Sequence, residues 1–425
     1  MPGLDSPLTL PCGITLPNRL FKSAMTEGLA DLNDNATARH NTLYRRWSEG
    51  GTGTLVTGNV MVDRRFLERP GNVVADGNGG EEALRQCASA GTVAGNQLWM
   101  QISHPGRQCQ KMVSAQPLAP SEVPLRLAGM FGKPKAMTEN DIEQALNGYA
   151  RVALLAKQCG FTGVQIHAAH GYLISEFLSP ITNRRRDDWG GPLENRARFL
   201  LEAIRRVRAA VGTGFPVAIK LNSADFSRGG FTHEDSLRVA HEVSEAGIDL
   251  LEISGGTYEK LALVGDTEDG AKAPSTRQRE AYFLDYAEGI REVTSVPLVV
   301  TGGFRSRAAM EAALASGACD VIGIARPLCI EPDVHDLLNG QSKGFPPWEQ
   351  RLRIGPGWLG PGSSNRTLRT LNFSAATQWY YRHIVDLSEG RAPDLNHRNL
   401  LSITLRHTAW ERRFARNRLA VVASA

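Results

Sequence analysis

The chain lacks most of what would send it to a nucleic acid, a membrane or the secretory route. Lysine and arginine number 48 against 44 aspartates and glutamates, a net charge of +4 that is too small to argue for nucleic acid. The only basic run, Arg184-Arg185-Arg186, is followed at once by Asp187 and Asp188. No apolar run is long enough to cross a bilayer, so no membrane partner is expected. The start, MPGLDSPLTLPCG, has neither the basic residues nor the apolar core of a signal peptide. The six cysteines, Cys12, Cys87, Cys109, Cys159, Cys319 and Cys329, are scattered, with no C-x-x-C pair and no zinc or iron–sulfur spacing. No metal is therefore expected, and the cysteines read as reduced thiols of a cytoplasmic protein. Internal repeats and low-complexity tracts are also missing.

What is present is a globular composition, 42% hydrophobic and 22% charged, which argues against disorder. After an irregular lead-in to Pro17, eight short apolar segments read as strands: Arg19 to Ser23, Thr54 to Asn59, Leu98 to Ser103, Gly163 to Ala169, Pro216 to Asn222, Asp249 to Ser254, Pro297 to Thr301 and Asp320 to Ala325. Helical stretches follow them, at about 37–49, 81–94, 138–159, 192–211, 232–247, 277–293 and 306–315. Thr138 with Asp141, and Thr232 with Asp235, read as helix caps. None of the strands is joined to the next by a two-residue hairpin, so they must be parallel with crossovers. Eight such units imply an α/β protein with a closed (β/α)8 TIM barrel. The rival, an open doubly wound sheet, usually carries G-x-G-x-x-G after its first strand, where this chain has Ala24-Met25-Thr26. The barrel is assigned to residues 1–340. Residues 341–425 read as a mostly helical C-terminal extension, with helices near 375–387 and 400–418, packed on the barrel or on a partner subunit.

Strand alternation then points side chains. In the third strand Leu98, Met100 and Ile102 share a face, so Gln101 takes the other. Val164 and Ile166 oppose Gln165 and His167, and Val217, Ile219 and Leu221 oppose Lys220. With the greasy faces toward the helices, Gln101, His167 and Lys220 enter the barrel mouth, where such enzymes do their chemistry. Lys220 needs a partner there, either Glu252 on the next strand or an anionic ligand. His170 and Tyr172 follow His167 within five residues, a concentration of proton-transfer groups at a strand end. The loops after the seventh and eighth strands, Thr301-Gly302-Gly303-Phe304 and Gly323-Ile324-Ala325-Arg326, have the glycines and the cation of a phosphate site. The long loop His104 to Ala136 reads as a lid or binding loop.

HAAHGYLISEFLSPITNRRRDDWGG followed by PLENRARFL closely resembles the signature of the Old Yellow Enzyme family of FMN-dependent NADH:flavin oxidoreductases. PNRLFKSAMT, QISHPGRQ and VVTGGF extend the resemblance over about residues 5 to 335, and the HPGRQ loop resembles the bacterial branch. The resemblance implies non-covalent FMN. Ala24, Met25, Thr26, Gly58, Gln101 and Lys220 would line its ring, and Gly302, Gly303, Ala325 and Arg326 would surround its phosphate. Most relatives carry arginine at the position of Lys220, which lacks the bidentate fork. The resemblance further implies that His167 and His170 hold a substrate carbonyl oxygen and that Tyr172 donates a proton. NADPH or NADH would reduce the flavin, and an α,β-unsaturated carbonyl or nitro compound would reoxidise it. Larger relatives add an iron–sulfur cluster; only Cys329 lies past the eighth strand, so none is expected here. Arg184 to Gly191 would be a structural turn. Two alternatives stay open: a same-fold flavoenzyme that oxidises or demethylates a small amine, and a flavin-binding protein without turnover. A homo-oligomer is also open, and the region Tyr258 to Thr276 is expected to shape substrate choice.

Overall fold

The structure, a computed structural model, describes residues 2–125, 129–255, 283–396 and 398–424. It opens with β1 (Leu8–Thr9) and β2 (Thr15–Leu16), then β3 (Leu20–Lys22), β4 (Thr54–Met61) and β5 (Gln97–Ser103). Two short strands follow, β6 (Leu118–Ala119) and β7 (Lys135–Ala136). The rest are β8 (Gly163–Ala168), β9 (Val217–Asn222), β10 (Leu250–Ser254), β11 (Leu298–Thr301) and β12 (Val321–Ile324). β3, β4, β5, β8, β9, β10, β11 and β12 close, in that cyclic order and all parallel, into one barrel. The expected (β/α)8 barrel is therefore the fold.

The helices are α1 (Ala38–Glu49), α2 (Glu81–Ala90), α3 (Glu139–Gln158), α4 (Leu173–Leu178), α5 (Leu193–Val211), α6 (His233–Glu245), α7 (Leu284–Val293), α8 (Arg307–Ala315), α9 (His335–Leu338), α10 (Arg366–Ser388) and α11 (Leu400–Ser424). Both expected caps form as reciprocal boxes. The Thr138 hydroxyl accepts the Asp141 N–H at 3.2 Å, and the Asp141 carboxylate accepts the Thr138 N–H at 2.8 Å; Thr232 and Asp235 repeat the pattern. The helix expected at 277–293 is described only from Leu284, and the region Tyr258 to Thr276 lies outside the described residues.

Several expectations need correction. The lead-in to Pro17 is not wholly irregular: β1 and β2 pair as an antiparallel hairpin. Leu10 and Leu16 from this hairpin pack on Phe21, Val56, Trp99, Ala218, Leu250, Val299 and Val321. Those seven come from seven of the eight barrel strands and form a cluster separate from the outward apolar one, so the hairpin is the plug of the barrel floor. Gly163 completes that layer, because a Cβ there would lie 2.6 Å from the Trp99 ring. The second helix stops at Ala90 rather than Ala94. The first extension helix starts at Arg366, nine residues before Ala375, where the Asn365 side chain accepts the N–H groups of Thr367 and Leu368. The six-residue α4 was not foreseen.

The outward faces behave as alternation requires. Leu98, Met100, Ile102, Val164, Ile166, Val217, Ile219 and Leu221 join the main apolar cluster between strands and helices. The extension packs on the barrel. Trp379 and Ile384 of α10 are fully buried in that cluster. The Arg418 guanidinium of α11 makes a two-pronged contact with Asp34, at 2.6 and 2.7 Å, in the loop after β3.

Candidate active site at the barrel mouth

Two residues above the floor, the inward side chains turn polar and bond to one another around the barrel. Gln101 Nε2 donates to Gln165 Oε1 at 2.7 Å, and Gln165 Nε2 donates to Glu252 Oε2 at 2.7 Å. Lys220 Nζ donates to Glu252 Oε1 at 2.9 Å, and Thr301 Oγ1 donates to the same oxygen at 2.7 Å. Thr301 also lies 2.7 Å from Ser23 Oγ. Five strands, and Ser23 just past β3, thus contribute to one belt centred on Glu252, which is fully buried. Burial alone would raise the Glu252 carboxyl. The Lys220 charge, with hydrogen bonds from Lys220, Thr301 and Gln165, outweighs it and holds the group below the ordinary carboxylate value. The β9–β10 register sets Lys220 opposite Glu252, so the partner left undecided from sequence is this carboxylate.

Two glycines keep the wall close. A Cβ at Gly323 would collide with Thr301 Oγ1, and one at Gly58 would collide with Glu27 Oε2 and sit 2.6 Å from the Met25 carbonyl oxygen. Beyond the belt, His167 leaves β8 on the interior face. Its Nδ1 accepts the Ala169 N–H at 3.2 Å, which places the ring proton on Nε2. His170 occupies the left-handed region at φ 63°, followed by Gly171 at φ 79°. This strained step is held by three contacts. The His170 N–H donates to Asn222 Oδ1 at 3.1 Å, its carbonyl accepts Gln108 Nε2 at 2.9 Å, and its Nε2 lies 2.8 Å from Ser254 Oγ.

The Tyr172 ring sits edge-on to His167, with centroids 4.8 Å apart, and the two imidazoles are 5.3 Å apart. Burial pushes both imidazoles well below their ordinary value, and Lys220 pushes in the same direction. Both rings are therefore neutral at pH 7. The structure brings His167, His170 and Tyr172 together, with Gln101 and Lys220 in the belt.

At the other side of the mouth, Gly302 and Gly303 both take positive φ, 132° and 90°, which only glycine adopts readily. β12 pairs with β11 there and leads through Ala325 into Arg326, the start of a 3-10 turn. Among the described residues no carboxylate lies within 4 Å of the Arg326 guanidinium. Ala24 and Met25 are half-buried beside this region, and Met25 Sδ lies 3.4 Å from Cys329 Sγ. The Thr26 hydroxyl donates to Glu68 Oε2 at 2.7 Å. The loop from His104 to Ala136 is tied down by Glu176, whose Oε1 accepts the Arg107 N–H at 2.8 Å. Arg185, from the basic run, is structural: it pairs with Asp187 and donates to the Met137 carbonyl at 2.6 Å. Gln165, Ser254, Asn222 and Glu68 were not singled out beforehand. The first three sit at inward positions of β8, β10 and β9, so the alternation rule applied to every strand finds them.

The sequence profile of the NADH:flavin oxidoreductase / NADH oxidase family matches residues 4–342. This chain belongs to that family, the Old Yellow Enzyme family. An NADH-dependent flavin oxidoreductase of the fungus Hypocrea jecorina is 38% identical over 347 residues, covering 77% of this chain and 86% of the relative. The family thus reaches beyond the bacterial branch that the HPGRQ loop resembles. Among solved structures, an old yellow enzyme homologue from Zymomonas mobilis aligns with a TM-score of 0.68 at 26% identity, over 81% of this chain and 94% of that one. A 2-naphthoyl-CoA reductase aligns with a TM-score of 0.73 at 27% identity, over 80% of this chain but 52% of that longer one. This Old Yellow Enzyme relative is accordingly an NAD(P)H-dependent flavin oxidoreductase of an FMN-using family. The residues of the mouth fit such a cofactor: the belt supplies an amide and an ammonium, and the two positive-φ glycines after β11 and Arg326 after β12 lie at the ends of adjacent strands.

Proposed function

We propose that this protein is an ene-reductase, reducing activated C=C bonds of α,β-unsaturated carbonyl or nitro compounds. The observation that carries the reading is the cluster of two neutral imidazoles and a phenol above the belt. FMN, when bound, supplies the two-electron carrier that takes hydride from NADH or NADPH and passes it to the β-carbon of the substrate. Ala24, Met25, Thr26, Gly58, Gln101 and Lys220 would hold its ring, and Gly302, Gly303, Ala325 and Arg326 its phosphate. His167 points an Nε2–H donor and His170 a second ring nitrogen toward a substrate oxygen. Donors aimed at that oxygen stabilise the negative charge that develops there. Neutral rings suit this task, since they donate without a buried charge. Tyr172 Oη gives its proton to the α-carbon. Residues 1–340 would form the catalytic barrel and 341–425 its extension, and the six unpaired cysteines are consistent with a cytoplasmic location.

One anaerobic titration tests the reading. NADH or NADPH should bleach the yellow FMN-loaded protein, and cyclohexenone should restore the colour. Failure to bleach removes the reductase reading. Bleaching that cyclohexenone does not reverse, with reoxidation by another acceptor, replaces the enone with that acceptor. Reduction by a small amine instead would favour the amine-oxidising alternative.

A further inference from the structure

The inward face of β10 carries three residues in step: Leu250 in the floor, Glu252 in the belt and Ser254 at the mouth. Ser254 is buried and stands opposite Asn222 in the β9–β10 register. The last residues of these two strands both hold His170. Asn222 Oδ1 accepts the His170 N–H at 3.1 Å, and Ser254 Oγ lies 2.8 Å from His170 Nε2. The first contact steadies the left-handed backbone at His170, and the second steadies the ring.

The second contact also decides where the ring keeps its proton. Burial holds His170 neutral, so one ring nitrogen carries a proton and the other a lone pair. Among the described residues the Ser254 hydroxyl has no other hydrogen-bond partner. If Nε2 were the donor, the buried serine proton would have nothing to meet, which is the costly arrangement. If the serine donates to Nε2, its proton is satisfied and the imidazole proton sits on Nδ1. His170 Nδ1 has no partner among the described residues, so its N–H is left for a ligand. His167 is set in the same manner by a different group: its Nδ1 accepts the Ala169 N–H, which leaves the proton on Nε2. The pair therefore presents two N–H donors and no acceptor.

We propose that Ser254 is a positioning residue that selects the Nδ1–H tautomer of His170 and so makes the histidine pair a two-donor site. The inference rests on the reading of His170 as a residue that faces the substrate. Two donors suit an oxygen with two lone pairs, such as that of a carbonyl or nitro group, and the negative charge that grows on it during reduction. They repel a protonated amine, which brings only N–H groups of its own. Ser254 thus acts on the class of substrate accepted, through the ring of His170.

The test is NMR of oxidised, FMN-loaded protein with isotope-labelled histidine ring nitrogens, whose chemical shifts separate a protonated nitrogen from a bare one. His170→Gln assigns the His170 signals by their loss. Wild type is expected to show a bare Nε2 and a protonated Nδ1 at neutral pH. Ser254→Ala should lose that preference and slow reoxidation of the reduced flavin by cyclohexenone about 10- to 100-fold, somewhat less than the loss of a whole oxyanion donor. Ser254→Thr, which keeps the hydroxyl, should keep both the tautomer and the rate. A protonated Nε2 in wild type overturns the inference, and so does an unchanged tautomer in Ser254→Ala. Folded Ser254→Thr protein that behaves like Ser254→Ala also overturns it, because the hydroxyl would not be the selecting group. If Ser254→Ala does not fold, Ser254→Cys, whose thiol is a weak donor, carries the same test. Wild-type protein with the expected tautomer whose reduced flavin is not reoxidised by cyclohexenone removes the enone reading instead and leaves the tautomer assignment standing.

Discussion

The floor of the barrel and the belt above it are built by the same strands, two residues apart. Trp99 is in the floor and Gln101 in the belt; Ala218 and Lys220, Leu250 and Glu252, and Val299 and Thr301 repeat the step. Backbone geometry is the same in both layers, so the difference lies in the side chains. The floor is closed by volume: Trp99 fills the space that Gly163 vacates, and the hairpin seals it from below. Each floor residue contributes its own buried area, roughly independently of the others. The belt is closed by pairing. Glu252 satisfies Lys220, Gln165 and Thr301 together, so no member can be removed without leaving another unpaired in a dry interior. One layer holds the barrel shut, and the next gives it a polar surface to present to a ligand.

The sharpest separation is expected above the belt, at Tyr172. Tyr172→Phe should slow the enone half-reaction by about 10²–10⁴-fold, the usual worth of a positioned general acid. Reduction by NADH or NADPH should change little. Stopped-flow traces of the two halves check this; equal loss in both would deny the phenol its role as acid. Next comes the belt. Glu252→Ala should cost about 3–5 kcal/mol, because it strands Lys220 without a partner. Adding Lys220→Met should recover most of that loss. Urea unfolding of both single variants and the double variant gives the coupling, and simple additivity would mean that the belt is no network.

The floor should respond less and without coupling. Val299→Ala deletes two buried methyl groups and should cost about 2 kcal/mol, from transfer plus a small cavity. It should leave the absorption spectrum of bound FMN unchanged. A shifted spectrum would mean that the two layers are not separate.

Much of this contrast was legible in the sequence, and the reason is periodic. A strand repeats every two residues, so a greasy outer face at Val217, Ile219 and Leu221 puts Lys220 inside without reference to any other strand. Pairing between strands is a different kind of information. Whether Lys220 met Glu252 or a ligand depended on the β9–β10 register, which neither strand encodes alone. The hairpin of β1 and β2 was missed because each strand is only two residues long and shows no period. Glu68 was missed for a further reason: it sits in a loop, and its importance comes from Thr26, 42 positions earlier. The start of α10 carried a signal that went unread, an Asn365 cap ahead of a helical run.

The smallest effect concerns protons. His167 and His170 are held well below the ordinary imidazole value, chiefly by burial, and His104 in the loop after β5 is pushed down to about 4 by the same cause. An unfolded chain binds protons at these residues below about pH 6.5, while the folded chain refuses them. Stability should therefore be full above pH 6.5 and fall as the pH drops toward 4. Each imidazole contributes at most about 1.4 kcal/mol per pH unit to the slope. Glu252 acts in a lower window: its depressed carboxyl adds stability above its unfolded value, lost only at more acid pH. The two layers can thus be told apart by titration, since the apolar floor residues carry no group that titrates in this acid range. Unfolding free energies from pH 7.5 to 4.5 should decline in wild type, and His104→Asn should flatten the decline by up to about 1.4 kcal/mol per unit. An identical slope in the variant would show that the His104 ring is charged in the folded protein, and wild-type stability that rises on acidification through this range would mean that burial does not keep His167 and His170 neutral.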